Sequence, residues 1–191
     1  MTLEQLQAIF LGASLETWHQ HENGNGWVKN TAKVDKTAFV GENALVFDDA
    51  RVCGNARVYD NAVVYGNTRV CGNAWVSGNA QVYGNAVVYG NARVSGDALV
   101  YGNAWVYGNA RVSSLSVINS GKYTKSPIQI QGSKFFVNEN GDNIQIGCKC
   151  MSIEDWETKG MDIAKEQGFT DKEIEEYKAH INHIKFLKTL K

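Results

Sequence analysis

Valine occupies every sixth position from Val28 to Val112 without interruption, and two residues before nearly every one stands alanine, from Ala32 to Ala110. Only Gly26 and Thr68 break the alanine column. The unit reads Ala-x-Val-x-Gly-Asn. So short and strict a period leaves few folds open, because one hexad cannot bury its apolar side alone and must stack on its neighbours. Alanine and valine two apart face one side of a strand, so Ala56 and Val58 point inward while Arg57 and Tyr59 point outward. Gly-Asn turns each corner, glycine reaching positive φ without steric cost and asparagine tolerating it. Three hexads make a triangular coil of eighteen residues. Fifteen hexads then give five coils, a prism about 24 Å tall at the usual strand spacing.

The flanks have another character. Residues 2–12 carry Leu3, Leu6, Ile9 and Phe10 at helical spacing behind a Thr2/Gln5 capping box, which predicts a short helix over the open end of the prism. After Val112 the repeat decays through Ser116 and Ile118. Strand signals follow near 127–131, 134–138 and 143–149, with Asn140-Gly141 as a hairpin turn. Ser152 with Asp155 opens a helix to about Gln167, and Thr170 with Glu173 caps another to about Leu190. That last helix aligns Ile174, Tyr177, Ile181, Ile184 and Leu187 in one stripe, suited to docking on its own subunit or to assembling a trimer. The divisions expected are an N-terminal helical cap over 1–25, the repeat region over 26–118, and an α+β region over 119–191.

Residues eighteen apart lie above one another, so the exterior sorts into three walls. The first is apolar, with Trp27, Leu45, Phe47, Val63, Tyr65, Tyr83, Leu99 and Tyr101, and has to be covered by the terminal segments or another subunit. The second carries Arg51, Arg69, Trp105 and Tyr107; the third carries Arg57, Tyr59, Trp75, Arg93 and Arg111. Arg51 below Arg69, and Arg93 below Arg111, place like charges on neighbouring strands, where pairing is unfavourable. These nine basic and aromatic residues are the candidate binding site. Guanidinium forks would grip a phosphate or carboxylate and the rings would flank it. The competing account is structural: exposed arginines that splay into solvent or lie over neighbouring tyrosines, and tyrosine ladders that only stiffen the walls.

The Ala-x-Val-x-Gly-Asn run over about residues 26–118 resembles the hexapeptide-repeat family. That resemblance implies a left-handed parallel β-helix, mainly β overall, here with an N-terminal helical cap and a small C-terminal β-meander plus two helices. It also implies a homotrimer, with ligand sites in grooves between subunits, in a family that includes acyltransferases and carbonic anhydrases. The fold does not itself carry that chemistry. Such acyltransferases use a histidine beside the coenzyme A groove, and the carbonic anhydrases hold a metal with three histidines. Here the repeat region has no histidine. His19 and His21 precede it, His180 and His183 lie on the final helix, and Asp48, Asp49, Asp60 and Asp97 read as corner residues. No metal and no cofactor are expected. A general base would have to be His19 or His21 borrowed from a neighbouring subunit. The layout of prism and tail, with Ile-Gly-Cys and Glu-Asp-Trp, also resembles hexapeptide proteins of phage and prophage genomes. That second likeness implies a role like that of small phage proteins that sequester nucleotide signals of bacterial defence.

The chain of 191 residues has a formal charge of −1, 43% hydrophobic residues, one proline and nineteen glycines. It has no eighteen-residue apolar run and no signal-peptide core, so a cytoplasmic protein without membrane contact is expected. Eight basic against six acidic residues over 26–113 give no broad basic footprint, which argues against DNA as partner. Cys53 and Cys71 should stack outward on adjacent coils with poor disulfide geometry, so reduced thiols are expected. Cys148 and Cys150 read as a half-buried strand rather than a metal site. The leading expectation is a non-catalytic trimer that holds an anionic, nucleotide-like molecule between subunits. A protein-binding module and an acyltransferase using acyl-coenzyme A are the alternatives.

Overall fold

The computed structural model describes residues 1–190 in two compact units, Met1–Ser126 and the residues from Pro127 onward. The first is a parallel β-solenoid of about five turns. Its first wall stacks Trp27–Lys29, Leu45–Val46, Val63–Val64, Gln81–Val82, Leu99–Val100 and Val117–Ile118. The second stacks Lys33–Val34, Arg51–Gly54, Arg69–Gly72, Val87–Val88, Trp105–Val106 and Lys122–Tyr123, and the third Phe39–Val40, Arg57–Val58, Trp75–Val76, Arg93–Val94 and Arg111–Val112. Residues eighteen apart pair, as Arg57, Trp75 and Arg93 do. Amides bond to the next coil, Arg57 N donating to Ala74 O at 2.9 Å and Tyr59 N to Val76 O at 3.0 Å. Every alanine and valine of the repeat from Ala38 to Val112 is fully buried. The interior extends past Val112 through Ser116 and Ile118 to Tyr123. There the strand Lys122–Tyr123 joins the second wall with Trp105 opposite Lys122, an offset of seventeen instead of eighteen.

The corners divide their labour differently from the expectation. Glycine takes the positive φ, +69° at Gly78, and a Cβ there would stand 2.9 Å from the backbone N of Gly96 in the next coil. Asp48, Asp60 and Ser114 occupy the same repeat position with φ of 56–57°. The asparagine that follows serves instead in ladders between coils. Asn61 Nδ2 donates to Asn79 Oδ1 at 3.1 Å and Asn79 Nδ2 to Asp97 Oδ1 at 2.9 Å, with parallel chains through Asn55, Asn73, Asn91 and Asn109 and through Asn67, Asn85 and Asn103.

Helix α1 (Leu3–Ile9) forms behind the Thr2/Gln5 capping box. Leu6, with Ala13 and Trp18, clusters on Trp27, Leu45, Phe47 and Val63, so this segment covers the lower part of the apolar first wall, because that is where uncovered apolar surface lies. The edge of that wall is closed by Trp18–Gln20, antiparallel to Trp27–Lys29. One expectation is corrected here: Cys53 and Cys71 are not free thiols but a disulfide. In-register outward positions on successive coils put their Cα atoms 4.6 Å apart, inside the bridging range of about 4.4–6.8 Å.

The second unit is a four-stranded antiparallel meander, Gln129–Gln131, Phe136–Asn140, Asn143–Ile146 and Lys149–Ser152, followed by α2 (Ile153–Glu166) and α3 (Asp171–Thr189). Gly141 turns the second and third strands at φ +60°, and Gly147, at +54°, splits the strand expected near 143–149 and turns the chain into a fourth strand. Cys148 is exposed at that turn and Cys150 half-buried in the strand. Tyr177, Ile181 and Ile184 of α3 are buried with Val137, Ile144 and Trp156, and Ile174 is buried too, so most of the stripe docks within its own unit; Leu187 stays half-buried. Among the described residues no helix is long and apolar enough to cross a membrane.

Candidate functional site

On the third wall the register lines up Phe39, Arg57, Trp75, Arg93 and Arg111, one from each coil. The Arg57 guanidinium carbon lies 4.8 Å from the Phe39 ring centre, 5.6 Å from Trp75 and 5.8 Å from Tyr59. That of Arg93 lies 4.4 Å from Trp75. Trp75 is therefore held between cations from the coils on either side, and Tyr59 meets it edge-on at 6.2 Å. The outward residues of this wall include no carboxylate. The nearest repeat acids are spent at a corner, Asp60 Oδ2 accepting from Gly78 N at 3.0 Å and Asp97 Oδ1 accepting from Asn79. Among the described residues Arg57 and Arg93 have no ion pair. A guanidinium stacked on a ring uses its face, which leaves its in-plane N–H groups for an anion.

The second wall carries a run of three cations in register, Lys33, Arg51 and Arg69, again without ion pairs among the described residues. The Cys53–Cys71 bridge sits beside the last two. Trp105 and Tyr107 lie two coils beyond Arg69, so the structure does not group them with Arg51 and Arg69. Tyr107 stacks on Tyr89 at 5.0 Å, and Lys122 Nζ lies 5.1 Å from the Trp105 ring, which is 40% exposed. The nine candidates thus fall into one contiguous cluster (Arg57, Tyr59, Trp75, Arg93, with Arg111 next in register) and two separate pairs. Lys33 was legible from its spacing to Arg51; Lys122 was hidden by the seventeen-residue offset.

The first wall stacks Phe47, Tyr65, Tyr83 and Tyr101 with centroids 4.9, 4.9 and 4.8 Å apart. Burial, then the charge of Asp48, raises the Tyr65 pKa, and burial, then the neighbouring phenols, raises that of Tyr83. Three of the four histidines have partners of their own. His21 is buried with Nδ1 accepting from Asn23 N at 3.2 Å, His19 Nδ1 meets Asn30 Oδ1 at 2.8 Å, and His180 Nε2 lies 3.3 Å from Glu176. Among the described residues no cluster of three or more His, Cys, Asp or Glu side chains is placed to hold a metal.

Residues 50–66, 80–96 and 92–108 match the family model described as YdcK Beta solenoid repeat. No curated protein matches the chain, and no solved structure does.

Proposed function

We propose that this β-solenoid repeat protein is a non-catalytic binding scaffold whose third wall grips an anionic small molecule through Arg57, Arg93 and Arg111. The observation that carries this reading is that Arg57 and Arg93 are each held against Trp75 with, among the described residues, no carboxylate paired to them. Side-chain entropy lost on gripping an anion is already spent in the stacked state, so the wall is preorganised. A phosphate chain spanning two coils would meet guanidiniums at a spacing of about 10 Å, set by two strand separations.

A nucleotide-like ligand fits this wall by its phosphates. Its base cannot stack on Trp75, whose faces are taken, so the reading calls for a ring from a neighbouring copy of a trimer, for which the exposed Trp105 is the candidate. Sequestering a nucleotide signal, as the phage resemblance implies, is the biological form of this reading. The protein-binding alternative draws on the half-buried Tyr65, Tyr83, Leu99 and Tyr101, which lie outside the cluster formed by α1.

Calorimetry against cyclic and linear nucleotides and pyrophosphate, with light scattering for the oligomer, tests the proposal. The expected result is a trimer with saturable binding, weakened at least tenfold by Arg93→Ala and by Arg57→Ala. Binding heat unchanged by both substitutions, or absent across the panel, overturns it. In that case a stoichiometric protein partner in a pull-down would establish the interaction module, and turnover of acyl-coenzyme A the enzyme.

A further inference from the structure

Within the C-terminal unit, α2, α3 and the ends of the meander strands surround an open cavity of about 280 Å³. Ile146, Trp156, Met161, Phe169, Tyr177 and Ile181 line it. The polar handles of the two largest rings are already used. Trp156 Nε1 donates to Ile144 O at 2.8 Å, while Tyr177 OH donates to Phe135 O at 2.8 Å and accepts from Lys134 N at 3.0 Å. What these rings offer the cavity is carbon.

Gly160 supplies a second, independent observation. It lies in the interior of α2, where glycine is the least favourable residue after proline. A Cβ there would come within 3.2 Å of Trp156 Cε3. The missing side chain keeps the indole open to the cavity, at the expense of helix stability. The mouth has an unbalanced charge. Glu157 is paired with Lys185 at 2.5 Å and Lys178 with Glu175 at 2.7 Å, whereas the exposed Lys149 has no ion pair among the described residues.

We propose that this cavity binds a small amphipathic carboxylate, a medium-chain fatty acid, with its tail against Trp156 and its carboxylate at the mouth beside Lys149. A cavity near the small end of ligand pockets, apolar within and cationic at the rim, suits one such chain. The site is separate from the arginine wall and stands or falls without it.

Calorimetry of the full chain with decanoate below its micelle concentration tests the site. One decanoate should bind per chain, about threefold more weakly in Lys149→Ala, as for an exposed ion pair. Binding should fall at least tenfold in Gly160→Leu, which fills the floor, and in Ala164→Phe, which narrows the cavity one turn on. Circular dichroism identifies a variant that fails to fold, and the other then decides. Decanol should bind more weakly than decanoate. No heat with decanoate, binding indifferent to the folded cavity variants, or decanol binding equally well overturns the proposal. So does a concentration-dependent dimer that buries this face and leaves no room for the acid.

Discussion

Cys53 and Cys71 join successive coils of the solenoid through a disulfide, with Cα atoms 4.6 Å apart and a sequence separation of 18. A bridge closing a loop of that length removes about 3 kcal/mol of unfolded-state entropy in the chain-entropy account. Cys53→Ser should therefore lower stability by up to that amount while the coils keep their register. In denaturant, two thiols, those of Cys148 and Cys150, should react before reduction and four after it. Four reactive thiols in protein alkylated at lysis would refute the bridge. They would also agree with the reducing compartment expected from the sequence, where such bridges are rare.

Trp75 between Arg57 and Arg93 makes a distinct expectation about stability. Two cation–π contacts at a partly exposed site are worth about 1–2 kcal/mol together. Trp75→Leu keeps an apolar side chain but loses both, so its urea midpoint should fall with an unchanged slope. Arg93→Lys keeps the charge and loses the planar stack, and should cost about half as much. A Trp75→Leu variant as stable as the parent would mean that the stack contributes nothing.

Most of the solenoid was legible because its code is one-dimensional: a valine every sixth residue places Val58, Val76 and Val94 above one another, and the register follows. The same map gave the contacts of Arg57 and Arg93 with Trp75 by position, though it left open whether the cations meet rings or solvent, since side-chain direction is not carried by spacing. It failed where the count slips, at Lys122, and where a residue's role depends on its neighbour in the next coil, as in the asparagine ladders. The disulfide was missed because in-register thiols were judged by strand geometry alone. In the C-terminal unit, the N-cap at Ser152 and the capping box at Thr170 fixed the helices, whereas the cavity depends on packing among α2, α3 and the sheet that no local pattern encodes.

Acid should loosen the C-terminal unit. Hydrogen bonds from the Thr170 amide, then its hydroxyl, hold Glu173 below the ordinary glutamate value of 4.5, and bonds from Ser133 do the same for Glu176. Asp155 is lowered mainly by Lys159, then by Ser152. For carboxylates depressed in the folded state, the stabilisation is complete above the unfolded value and is lost as pH falls through the lower, folded one. The helical melting transition should thus move down as the pH drops below 4.5, and Glu173→Gln should flatten part of that dependence. A melting temperature constant across that window would show that these caps do not contribute.

Thr68 and Ser116 are both fully buried at the alanine position of the repeat, yet their replacement by alanine should act in opposite directions. The Thr68 hydroxyl donates to Tyr65 O, so Thr68→Ala deletes a satisfied hydrogen bond and a packed methyl and should cost about 1–2 kcal/mol. The Ser116 hydroxyl has no hydrogen-bond partner among the described residues. Its desolvation is uncompensated, and Ser116→Ala removes one oxygen without opening a cavity large enough for water, so it should stabilise by about 1 kcal/mol. Urea midpoints at equal slope measure both. A destabilised Ser116→Ala would mean that its hydroxyl finds a partner in solution, such as a trapped water, and that the upper coils are less tightly filled than the alanine column implies.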